Sequence, residues 1–223
     1  MKFFGIASSV ATLAGFAIAA SPAKAAVINF ESGFVDRQRV STVTGSDGNQ
    51  VTFSVGPDVD DRRNARIARR GNLPTAFLPR DGGRTSYRNR IGRFVLTDGI
   101  FNSLDYYIQF SSPVSRLSLD FLDFGDLIPN STATLRAYSN SNFTNEIAQA
   151  RINGTSTLFN STLNTFALDN LGSAKSFSIS YSTDFGTAID NIYYDTVPEP
   201  LTIFGTLVAA GFGVAMKRKR QAG

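Results

Sequence analysis

The chain has 223 residues, 42% of them hydrophobic, with 22 basic and 18 acidic side chains and no Cys, His or Trp. Without Cys there are no disulfides, thiol nucleophiles or thiolate metal sites. Without His the usual general base near neutral pH and the commonest zinc ligand are also missing.

The length suits one domain with short tails, since single domains commonly run to ~100–200 residues. At the start, Lys2 precedes an apolar run from Phe3 to Ala20, followed by Ser21-Pro22-Ala23-Lys24-Ala25. Pro22 ends any helix there, and Ala23-Lys24-Ala25 is the small-x-small pattern that signal peptidase cuts. Residues 1–25 therefore read as a secretory signal peptide cleaved after Ala25. An uncleaved membrane anchor is the alternative, which the Pro and the cleavage site disfavour.

From residue 26 the apolar residues recur at short range rather than at helical spacing. Strands are expected at Val27–Phe30, Val51–Val55, Leu104–Phe110, Leu117–Phe121, Thr132–Tyr138, Glu146–Ile152, Leu163–Leu168, Phe177–Tyr181 and Ala188–Tyr194. Gly, Pro, Asn and Ser separate them. About eight to ten closely spaced strands point to an all-β fold, an antiparallel β-sandwich or jelly roll over residues 26–196.

Residues 62–93 interrupt this pattern and are expected to form an Arg-rich insert or loop. They hold Arg62, Arg63, Arg66, Arg69, Arg70, Arg80, Arg84, Arg88, Arg90 and Arg93 against one acid, Asp81, for a local charge of +9. Residues 26–61 sum to −4 and residues 94–198 to −6. Guanidinium forks bind carboxylate, sulfate or phosphate through paired hydrogen bonds, so one reading is a patch for an acidic polymer such as acidic exopolysaccharide. The other is a solvated loop neutralised by Asp58, Asp60 and Asp61. Nucleic acid is not expected as a partner. Residues 26–198 carry 15 Arg and one Lys against 17 acids, so the basic balance of the whole chain belongs to its ends, and no nucleic-acid motif accompanies the arginines.

Several other groups invite chemistry. Asp120, Asp123 and Asp126 form the densest acidic cluster outside the Arg-rich segment, and two carboxylates ~5–10 Å apart can hydrolyse a glycoside. Asp120, however, alternates with Leu119 and Phe121, which predicts a place on the solvent face of its strand. Asp123 and Asp126 flank Phe124-Gly125, where Asp commonly bonds its own backbone. Asp58-Val59-Asp60-Asp61 begins like a calcium loop but lacks the Gly and Glu that complete one. The outward member of Tyr106-Tyr107 and of Tyr193-Tyr194 offers a flat face for a sugar ring.

The C-terminal segment, 197–223, runs Val197-Pro198-Glu199-Pro200, an uncharged stretch over 201–216, then Lys217-Arg218-Lys219-Arg220. A helix over 201–216 spans ~24 Å, slightly short of the ~30 Å hydrocarbon core. The flanking cations snorkel to make up the difference and keep that end cytoplasmic. The Pro-Glu-Pro element, the short apolar helix and the basic cluster, in that order, resemble the PEP-CTERM sorting signal of bacterial exported proteins. That resemblance implies recognition by exosortase, a membrane enzyme cutting near Pro198-Glu199-Pro200. It also implies a Gram-negative-type envelope and release to the cell surface, outer envelope or an exopolysaccharide matrix of the biofilm kind.

A second resemblance lies in the middle of the chain. Val114–Gly125 (VSRLSLDFLDFG), Ala133–Tyr138 (ATLRAY) and Ala188–Tyr193 (AIDNIY) resemble the β-sandwich ectodomain of exported PEP-CTERM proteins. Its layout is similar to that of jelly-roll carbohydrate-binding modules. This implies a first and last strand side by side, with Glu31 and Asp190 as ligands of one structural Ca²⁺, an ion suited to oxygen donors. The same two carboxylates would otherwise cap turns or accept backbone N–H bonds. The expected function is a non-catalytic exported surface or matrix protein. A carbohydrate-binding module for acidic exopolysaccharide is the alternative, and a glycosidase using Asp123 or Asp126 a more distant one.

Overall fold

In a computed structural model the short apolar runs become twelve strands, with no helix among the described residues, which are 24–69, 91–97, 104–122, 131–154, 163–181 and 187–197. The strands are β1 (Lys24–Ile28), β2 (Arg39–Val40), β3 (Thr42–Thr44), β4 (Gln50–Gly56), β5 (Arg63–Arg69) and β6 (Phe94–Thr97), then β7 (Asp105–Leu122), β8 (Thr132–Tyr138), β9 (Glu146–Asn153), β10 (Leu163–Leu168), β11 (Ala174–Tyr181) and β12 (Ala188–Thr196). The sorting motif (Pro198, Glu199, Pro200, Lys217, Arg218, Lys219, Arg220), the apolar stretches at both ends and the acids Asp123 and Asp126 lie outside the described residues.

The long strand β7 organises the rest. Its first half pairs with β4 and β11, and its second half with β10 and β12, all antiparallel. The sequence suggests two strands here, over 104–110 and 117–121, and the structure joins them. Pro113, which has no N–H to donate, sits where the β11 register jumps from Gln109 to Val114. Its carbonyl accepts a bond from Val197 N. A proline at such an irregularity removes no ladder bond. Because β7 serves both neighbours, β12, β6, β5, β4 and β7 close into a ring, with β11, β8 and β9 extending one side and β1 the other. The first and last strands lie side by side, with Ile28 opposite Ile192 and Ala25 opposite Asp195.

Alternation fills the interior. Val51, Phe53 and Val55 of β4, Ile108 and Phe110 of β7, and Phe177 and Ile179 of β11 are buried, while Thr52 is exposed and Ser54 and Gln109 are half-buried. Rings from different strands meet edge-on. Phe110 lies 4.9 Å from Tyr194 of β12, and Phe121 lies 5.8 Å from Tyr181 of β11. Such aromatic pairs favour edge-to-face geometry because the ring edge is positive and the face negative.

Two expectations are corrected. The Arg-rich segment does not begin as a loop, because Arg63–Arg69 is strand β5 inside the ring, with Ala65, Ile67 and Ala68 buried. The arginines hide an apolar set that fits a strand. Asp120 is not on a wet surface; it is buried in the β7–β12 ladder, opposite Asp190. Asn191, at φ +48°, forms a bulge directly after Asp190, a left-handed conformation that Asn tolerates better than most residues. The bulge lets Ile192 return to the core while Tyr193 points outward.

Candidate functional site

The structure divides the described arginines by role. Arg62 is stacked on aromatic rings, its guanidinium 5.0 Å from the Phe143 ring centre. Arg93 lies over the ring of Phe94 at 5.3 Å. Arg63 and Arg69 occupy the two ends of β5, and Arg66 projects from its middle to solvent. Arg66 is directly opposite Arg39 of β2. Directly paired residues share a face, and like charges so placed repel. Among the described residues the ion pairs are Arg116–Asp169 and Arg136–Glu146, and no carboxylate neutralises Arg39 or Arg66. Asp58, expected to compensate the arginines, uses Oδ1 to accept the Asp60 and Asp61 amides of its own turn. Arg39 escapes sequence reasoning because it lies outside the Arg-rich run, and only the β2–β5 register brings it in. Arg70, Arg80, Arg84, Arg88 and Arg90 lie outside the described residues.

Glu31 and Asp190 are brought together, but around a main-chain segment. Glu31 accepts the amides of Arg93 and Phe94 with its two oxygens, at 2.8 and 3.3 Å. Asp190 Oδ2 accepts the Gly92 amide at 3.0 Å. A Cβ at position 92 would fall 1.4 Å from a Glu31 carboxylate oxygen, so any larger residue there has to push the Glu31 side chain out of the clamp. Three of the four carboxylate oxygens are thus committed to amides. Among the described residues no three His, Cys, Asp or Glu converge as metal ligands. Ca²⁺ takes ~6–8 oxygens, so the pair fits an amide clamp better than a calcium shell.

The clamp leaves Asp190 Oδ1 buried without a hydrogen-bond partner. Burial pushes the Asp190 carboxyl up to about 6, with the Gly92 and Asn191 amides opposing and the Glu31 and Asp120 charges adding to the rise. Asp120 accepts Thr165 Oγ1 at 2.9 Å and Asn191 Nδ2 at 3.0 Å. Both bonds tie its carboxylate to neighbouring strands.

Of the paired tyrosines, Tyr106 and Tyr194 face inward. Tyr106 OH donates to Thr187 O, and Tyr194 OH donates to Asp47 Oδ1; burial, and after it the bond and charge of Asp47, raises the Tyr194 pKa. Tyr193 is the outward member and 53% exposed. It borders an open cavity of about 280 Å³ lined also by Ala26, Arg116, Ser118 and Asp195.

No protein-family model and no curated protein matches the chain. Among solved structures it is similar to the K2 cleaved adhesin domain of Lys-gingipain, at 12% identity over 76% of this chain and 97% of that one, with a TM-score of 0.47. It is similar also to the K1 cleaved adhesin domain of Lys-gingipain from Porphyromonas gingivalis W83, at 14% identity over 78% and 98%, TM-score 0.31. A third is the family 11 carbohydrate-binding module from Clostridium thermocellum, solved with a β-1,3-1,4-mixed-linked tetrasaccharide, at 12% identity over 80% and 99%, TM-score 0.30.

Proposed function

We propose that this chain is a non-catalytic exported protein of the cell surface or matrix, which holds acidic exopolysaccharide through guanidinium groups on β2 and β5. The observation that carries the binding half is the Arg39–Arg66 register: two exposed cations lie directly opposite each other, and no carboxylate among the described residues pairs with either. An anionic polymer relieves that repulsion, and its sulfates or carboxylates suit the guanidinium fork.

The test is retention on a dextran sulfate column. The protein is expected to bind at low ionic strength and to elute as salt rises, since exposed charges are screened within ~8 Å at physiological ionic strength. Replacing Arg39 and Arg66 together by Gln should lower the eluting salt markedly and leave the melting temperature unchanged or slightly higher. Equal retention of the double variant would remove this half of the reading.

Delivery rests on the terminal signals. Signal peptidase would cut after Ala25 and exosortase near Pro198-Glu199-Pro200, after residues 201–216 have anchored the precursor in the inner membrane. Intact mass of the protein purified from its own cells is expected to show both cuts. A polypeptide still carrying Lys217–Arg220 in cells with working exosortase would defeat the sorting claim without touching the binding result.

A further inference from the structure

A second face of the sheet carries polar and aromatic rows that the protein itself covers. The outward residues of β4, β7, β11, β8 and β9 form polar and aromatic rows across the sheet, one of them Ser54, Tyr107, Ser178, Arg136 and Gln149 in register. A polar row on an outer sheet face normally meets water. Here Tyr107 and Tyr138 are 6% and 9% exposed and Ser178 is 4% exposed.

The β8–β9 connection covers them. Phe143 packs edge-on against Tyr107 at 5.2 Å and against Tyr138 at 5.7 Å, and the Arg62 guanidinium closes over Phe143 and Tyr107. Asn140 O of the same connection accepts Ser176 Oγ at 2.6 Å. Phe143 holds this position at φ +57°, a left-handed backbone that a bulky side chain seldom adopts. The strained backbone serves to place one ring.

We propose that Phe143 is a built-in occupant of a sugar cleft, whose displacement opens Tyr107 and Tyr138 as stacking platforms for a neutral pyranose polymer. The chemistry around the cleft selects that class. Two tyrosine rings supply flat apolar faces, while Arg136, Ser178, Ser180 and Asp105 supply hydrogen-bonding groups at their edges. The charges balance, Arg62 and Arg136 against Glu146 and Asp105: Arg136 Nε sits 3.5 Å from Glu146 Oε2, and its Nη1 donates to Ser180 Oγ at 2.6 Å. Asp105 adds a carboxyl on the same face and attracts no anion. A neutral sugar, with C–H groups on one face of the ring and hydroxyls at its rim, meets both sets. The site is separate from the Arg39–Arg66 pair and does not depend on it.

The test uses affinity electrophoresis of the whole protein in native gels cast with laminarin, hydroxyethylcellulose or galactomannan, all uncharged. Phe143→Gly removes the ring and suits the left-handed backbone; Phe143→Asn is a second variant with the same backbone tolerance. If the open form is a minor state, removing the plug raises apparent affinity in inverse proportion to its population, about 10-fold or more. At least one gel should therefore retard both variants more than the parent, and adding Tyr107→Ala should abolish the gain. Folded variants that run like the parent in all three gels would overturn the proposal. Retardation that survives Tyr107→Ala would overturn it too, as would loss of folding in both variants, which would make Phe143 a structural ring only.

Discussion

Acidification from pH 7 to about pH 4.5 is expected to stabilise this protein, opposite to ordinary acid denaturation. Asp190 and Asp105 are the cause. Burial raises each carboxyl from an ordinary 3.8 to about 6, for Asp105 against the opposing charge of Arg136 and a bond from the Tyr181 amide. In the unfolded chain both release their proton near the ordinary value. Between about pH 4 and 6 the folded state therefore binds more protons than the unfolded one, and stability falls as pH rises through that window. Each unit of difference is worth about 1.4 kcal/mol, so Asp190 contributes on the order of 3 kcal/mol at most. Asp105 contributes less, because water still reaches part of it. Thermal melts at constant ionic strength should show the melting temperature rising on acidification. Asp190→Asn keeps an acceptor for Gly92 N, removes the buried charge, and should flatten most of the pH dependence while equalling or exceeding the parent at pH 7. A melting temperature that falls steadily below pH 6, in parent and variant alike, would contradict the assignment.

Asp120, the ladder partner of Asp190, shows where sequence reasoning stops. Alternation identifies Leu119 and Phe121 as core and so places Asp120 on the opposite face, which is correct for direction. It cannot show that the opposite face is itself covered, since that depends on where Thr165 and Asn191 arrive from distant strands. Glu31 and Asp190 are legible as a pair because they sit at the first and last strands. Their true counterpart, the Gly92–Phe94 amides, comes from a segment that the run of arginines disguises. Strands β8 to β12 are plain in the sequence because their period-two patterns are bounded by Gly, Asn and Ser. Strands β2, β3 and β6 are too short to carry a periodic signal, and β5 has four basic or amide side chains among seven residues. Phe143 follows the same rule: nothing in Ser-Asn-Phe-Thr marks that ring as packed on Tyr107, and its backbone angle and neighbours appear only in three dimensions.

Replacing Phe121 by Ala should produce the largest loss of stability of any single change considered, about 3–5 kcal/mol. Phe121 belongs to the second half of β7, where its backbone pairs with Ile189 of β12 and Asn164 of β10. Its ring crosses the interior to meet Tyr106, Phe166 and Tyr181, with centroids 6.3, 5.6 and 5.8 Å away. Removing it leaves a cavity bordered by three rigid rings, which relax poorly into empty space, so the cost sits towards the upper end of the range. It also loosens Tyr106, whose hydroxyl is bonded to Thr187 O just ahead of β12. Domains of this kind are stable by only about 5–15 kcal/mol, so the variant should unfold at far lower denaturant concentration. Tyr193→Ala is the control. Its ring is outward and half-exposed, and surface changes of this sort usually stay within about 0.5 kcal/mol. Urea unfolding followed by circular dichroism separates the two cases. A Phe121→Ala midpoint close to that of Tyr193→Ala would mean that this ring does not hold β7 to β10 and β11 through the interior.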